Sequence, residues 1–62
     1  MKNQKTYYHI IEDNFYLVAW QGCYDNLQEA EKELKRLQGI FTQSYLYIFT
    51  STDQNEPPIT TV

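Results

Sequence analysis

Residues 6–21 read TYYHIIEDNFYLVAWQ. Two runs rich in aromatic and β-branched residues, Thr6 to Ile11 and Phe15 to Gln21, flank Glu12-Asp13-Asn14, a composition that predicts two strands around a tight turn. Asp13 and Asn14 can both adopt the left-handed conformation of a type I′ turn, so a two-residue loop closes the expected hairpin. That loop sets a register. Glu12 faces Phe15, Ile11 faces Tyr16, Ile10 faces Leu17, His9 faces Val18, Tyr8 faces Ala19 and Tyr7 faces Trp20. Side chains alternate between the two faces of a strand, so the register assigns each of these residues to one side of a sheet.

Further along, Leu27, Ala30, Leu34, Leu37 and Phe41 recur at steps of three and four, the apolar stripe of one helix. Asn26 is its expected N-cap, and Glu29 three residues later fits a capping-box pattern. Gly39 is expected as the left-handed residue just past the last turn, with Ile40 folding back towards Leu34. Glu29, Glu31 and Glu33 come early while Lys32, Lys35 and Arg36 come late, and Glu31 with Lys35 makes a favourable i,i+4 pair. These charges read as a solvated face.

Ser44 to Thr50 (SYLYIFT) alternates Tyr45, Tyr47 and Phe49 with Leu46, Ile48 and Thr50, the pattern of a third strand. From Ser51 the chain turns polar and reaches two prolines, so residues 51–62 read as a flexible C-terminal tail, with Ile59 to Val62 as a marginal edge strand. The expected architecture is a single α+β domain over residues 1–50. Its order is ββαβ, with a three-stranded, mostly antiparallel sheet and one helix packed on one face.

One helix covers one side of such a sheet. The hairpin register puts Tyr8, Ile10, Phe15, Leu17 and Ala19 on one face together with Leu46 and Ile48, and these match the leucine stripe as a core. Tyr7, His9, Ile11, Tyr16, Val18, Trp20, Tyr45, Tyr47 and Phe49 then share the opposite face, where a solvated sheet is normally polar. This second face is the candidate interaction surface, because an apolar patch of that extent marks a binding site.

At 62 residues the chain is one domain, and a domain this small buries only about 60% of the surface its unfolded form exposes. A deep cleft is not expected. Eight acidic against five basic residues give a net charge of −3, the wrong sign for holding a phosphate backbone. With one cysteine, Cys23, and one histidine, His9, the chain can form neither an internal disulfide nor a standard zinc cluster from its own residues. Gly22 is read as the end of the second strand. Cys23 is expected in the connection to the helix, apart from His9 on the sheet face, so no catalytic pair is assigned. The expectation is no catalytic, cofactor-binding or metal site, hence no enzyme and no cofactor. The N-terminal residues lack a signal-peptide core and no run is long enough to span a membrane, so the expected location is the cytoplasm, with no membrane partner.

What remains is a non-enzymatic protein-interaction module. Pairing two aromatic faces would build a four-layer homodimer and enlarge the effective core, which makes a second copy the first expected partner. A heterologous protein is the other. Short acidic chains are common among accessory proteins of phages and mobile elements, in which case the partner would be a host protein. Single-stranded nucleic acid, stacked on the aromatic residues, is the rival class; the inferred face has no Lys or Arg to neutralise phosphates.

Overall fold

Tyr7–Asp13 forms the central strand, β1, with β2 (Val18–Tyr24) on one side and β3 (Tyr45–Ser51) on the other, both antiparallel to it. The helix α1 (Leu27–Ile40) connects β2 to β3 and packs on one face of the sheet, giving a small α+β domain of order β-β-α-β. The computed structural model describes residues 5–55 and 57. The central place of β1 follows from its sequence: His9, Ile10, Ile11 and Glu12 are four consecutive buried residues, a run that needs cover on both faces. On the helix side, Ile10, Leu37 and Leu46 make the buried centre. Tyr24, Leu34, Phe41 and Ile48 pack around them.

The hairpin loop is longer than expected. Asp13 belongs to β1, and the loop runs from Asn14 to Leu17, closed by the Asn14 N–H donating to the Leu17 carbonyl at 3.0 Å. A type I′ turn needs two residues at positive φ, and among the described residues no non-glycine residue has one. Asn14 acts differently: its Oδ1 accepts from the backbone N–H of Tyr16 at 2.7 Å and of Leu17 at 3.0 Å, an Asx turn. Phe15 and Leu17, expected in the core, are therefore exposed in the loop.

The longer loop moves Trp20 from Tyr7 to Ile11, and Val18 from His9 to Asp13. Both moves are by four residues, an even number, so both side chains stay on their expected face. A bulge follows. Ile10 pairs with Gly22 and Ile11 with Trp20, which leaves Gln21 as the extra residue of β2. Gly22 thus lies within β2 rather than at its end, at φ 157°, and a side chain there would meet the Tyr24 ring at 3.4 Å. Cys23 also moves into the sheet, directly opposite His9.

Asn26 caps α1 as expected, its Oδ1 accepting from Gln28 N–H at 2.8 Å and Glu29 N–H at 3.2 Å. The C-terminal end differs. Gly39 has no positive φ and the helix continues through Ile40, because Phe41 packs on the core and its N–H extends the ladder to Leu37 O at 2.8 Å. Ile40 is exposed rather than folded back, and Leu27, at the start of the stripe, is also exposed. Among the described residues the ion pair along the helix is Glu33 with Arg36, not Glu31 with Lys35.

β3 occupies the expected place and faces, with Leu46 and Ile48 beside Glu12 and Ile10 on the helix side. It extends to Ser51, past the expected domain boundary. Beyond it, the Asp53 carbonyl accepts from His9 Nε2–H and Asp53 Oδ1 accepts from Asn55 N–H. The expected strand Ile59 to Val62 lies outside the described residues.

Candidate protein-interaction surface

The face opposite the helix is set by the alternation of β1. Tyr7, His9, Ile11 and Asp13 point there, Val18, Trp20 and Cys23 join from β2, and Tyr45, Tyr47 and Phe49 join from β3. All the expected interaction residues except Tyr16 therefore share this face. Tyr16 is in the hairpin loop, 84% exposed, where its ring meets that of Phe15 edge-on at 5.4 Å.

The face has depth, which sequence alternation does not reveal. His9 is fully buried and Ile11 is 3% exposed, so neither can touch a partner directly. His9 lies between the rings of Trp20 and Phe49, each 6.1 Å away between centroids. Its Nδ1 accepts the Trp20 indole N–H at 3.2 Å, which puts the ring proton on Nε2. Nε2–H points at the Asp53 carbonyl at 2.9 Å and at Ser51 Oγ at 3.1 Å, and Ser51 Oγ donates in turn to the same carbonyl at 2.8 Å. A buried imidazole with both nitrogens bonded is a structural element.

Above this layer the exposure is uneven. Tyr45 is 69% and Phe49 41% exposed, both on β3, whereas Val18, Trp20 and Cys23 on β2 are half-buried. Tyr45 and Tyr47 lie with ring centroids 5.4 Å apart at 31°. Among the described residues the face carries no Lys or Arg; Asp13 marks the end nearest Tyr45. At the other end Lys5 lies 6.0 Å from the centroid of the Tyr7 ring, and its ammonium meets the Asp25 carboxylate at 3.0 Å. The hydrogen bond and opposite charge raise the Lys5 pKa and lower that of Asp25. This lysine is engaged by a carboxylate, not held ready for a phosphate.

The expected separation of Cys23 from His9 does not hold, since the two are cross-strand partners. Adjacency does not make a nucleophile. Both imidazole nitrogens are committed elsewhere, and burial, with the Asp25 and Asp53 charges, pushes the Cys23 thiol up, away from the reactive thiolate. Among the described residues no group of three or more His, Cys, Asp or Glu is placed to hold a metal ion.

A second polar cluster was not expected. Glu12, expected beside the turn and facing Phe15, is buried in β1 with Oε1 accepting from Gln21 Nε2 at 2.7 Å and Oε2 from Ser44 Oγ at 2.7 Å. Asn14 Nδ2 bridges Glu12 and Ser44 at 3.3 Å to each. One carboxylate thereby ties together β1, the β2 bulge, the hairpin loop and the α1–β3 connection. The available signal was a glutamate following two isoleucines, in phase with Ile10 for the helix side.

No protein-family model matches the chain, and neither does any curated protein or solved structure. No helix among the described residues is long and apolar enough to cross a membrane.

Proposed function

We propose that this chain is a non-enzymatic association module that binds a second copy of itself through the aromatic side of its sheet. The observation that supports this reading is the exposure of Tyr45 and Phe49, with half-buried Tyr47 between them, on a face that among the described residues has no Lys or Arg but Lys5 at its Tyr7 end. Water does not favour that surface, and covering it removes apolar area at about 25 cal/mol per Å². The domain is small enough to benefit: its helix-side core is centred on three buried residues.

Tyr45→Ser with Phe49→Ser tests the reading, since both side chains are exposed and lie outside the helix-side core; an unchanged circular dichroism spectrum of the monomer checks that losing the Phe49 ring beside His9 leaves the fold intact. Self-association measured by light scattering should weaken by roughly tenfold or more, as truncated aromatic anchors cost about 2 kcal/mol. Leu37→Ala is the contrast, expected to lose about 2–5 kcal/mol of folding stability through a cavity. Unchanged association in the double variant would remove the aromatic face from the interface. Saturable, salt-sensitive binding of single-stranded oligonucleotides by the wild-type chain would favour the nucleic-acid class instead.

A further inference from the structure

The position of the exposed aromatics says how two copies meet. In a stacked pair of sheets the centre of each face is the central strand, yet the β1 residues there, His9 and Ile11, are already buried within one copy. Trp20 and Tyr47 beside them are half-buried. What remains open lies along one margin of the sheet, where Tyr45, Phe49 and Thr50 of β3 are exposed.

That margin is also a bare strand edge. Among the described residues β3 has β1 on one side and no strand on the other, so alternate backbone N–H and C=O groups along it lack a ladder partner. Folded domains usually blunt such edges with charge, proline, a bulge or shortness. Tyr45–Ser51 uses none of these: it is seven residues long, uncharged, free of proline and in unbroken register with β1. The opposite edge, β2, is interrupted by the Gln21 bulge and by Gly22, and the Lys5–Asp25 ion pair lies next to its end. The two edges are not equivalent.

We infer that two copies pair along β3, antiparallel and about a twofold axis, into a continuous six-stranded sheet. This rests on the self-association proposed above and specifies its geometry. Strand addition supplies the missing backbone bonds, and an uncharged strand places no like charges opposite each other. Tyr45, Tyr47 and Phe49 of the two copies then meet side by side across the junction. Both helices lie on the same side of the joined sheet. The occupant is a second copy because antiparallel self-pairing is isologous: each copy offers the edge that the other completes.

Amide hydrogen exchange, followed by NMR on the full ¹⁵N-labelled chain at a monomeric and at a dimeric concentration, tests this. The expected result is that alternate amides of Tyr45–Ser51 slow by roughly tenfold or more on dimerisation while β2 amides do not change. Thr50→Lys places a charge on the β3 edge but off the aromatic face, and should weaken the dimer roughly tenfold with an unchanged circular dichroism spectrum. A dimer whose β3 amides exchange at the monomer rate, or a Thr50→Lys variant that dimerises like wild type, overturns the edge pairing while leaving self-association intact. A chain that never dimerises overturns both.

Discussion

The Trp20 indole donates its N–H to Nδ1 of His9 across 3.2 Å, joining β2 to β1 beneath the aromatic face. One hydrogen bond thereby sets the tautomer of the histidine. Nε2 carries the proton and donates a hydrogen bond to the Asp53 carbonyl, so β3 and the segment after it are tied to the same ring. Two-bond ¹⁵N–¹H correlation spectra of the His9 ring are expected to show the Nε2–H form, and the reversed tautomer would contradict the network.

Trp20→Phe removes that donor and leaves Nδ1 buried without a partner. The expected loss is about 1–3 kcal/mol of folding stability, read from urea denaturation. Trp20 is thus a poor probe of association, because its removal disturbs the fold of each copy. Tyr45, 69% exposed and away from His9, is the cleaner probe.

Ser44→Ala removes a 2.7 Å donor from the buried carboxylate of Glu12. Hydrogen bonds to charged groups are worth about 1.5–3 kcal/mol, and a loss in that range is expected by chemical denaturation. Asn14→Ala should also loosen the hairpin, since Asn14 serves both the Glu12 cluster and the Asx turn. A Ser44→Ala variant as stable as wild type would show that water replaces the hydroxyl at no cost.

The two glycines should respond with opposite signs. Gly39 lies inside regular helix with no atom within 4 Å of an added Cβ, so Gly39→Ala is expected to stabilise by about 0.5–1 kcal/mol. Gly22→Ala meets the Tyr24 ring and a φ that L residues rarely adopt, and should destabilise. Had Gly39 been a left-handed cap, its alanine variant would lose stability too; thermal melts of the pair decide between the two geometries.

Cys23 provides the pH prediction. Burial first, and then the negative charges of Asp25 and Asp53, raise its pKa, so the folded state favours the neutral thiol. The sign follows from linkage: a raised thiol pKa means the folded state binds the proton more tightly than the unfolded one. The contribution is therefore fully present below the ordinary thiol pKa of about 8.5 and declines as pH rises above it. Alkylation by iodoacetamide at pH 8 should be slower than for an unstructured cysteine peptide, and Asp25→Asn should quicken it. Equal rates for folded chain and peptide would contradict the placement.

Much of this fold is legible in the sequence because its signals are redundant. The helix stripe, the Asn26 cap and the alternation of Tyr45–Thr50 each point to the element that forms. The faces of Val18 and Trp20 come out right despite a wrong loop, because the displacement is even and parity is all that a face needs. What is not legible depends on distant groups. Glu12 as a buried acceptor and His9 as a satisfied core residue each require partners from other elements: Gln21 and Ser44 for the first, Trp20 and Asp53 for the second. Phe41, the last residue of the apolar stripe, packs on the core and carries the helix past Gly39, so the stripe and not the glycine marks where the helix ends.

Sedimentation equilibrium of the wild-type chain from roughly 1 µM to 1 mM tests self-association through the β3 side of the sheet most directly. The expected result is a reversible rise from monomer to dimer mass within that range, shifted to higher concentration by the Tyr45→Ser, Phe49→Ser pair. Monomer mass at every concentration, with Tyr45 and Phe49 left in water, would contradict it.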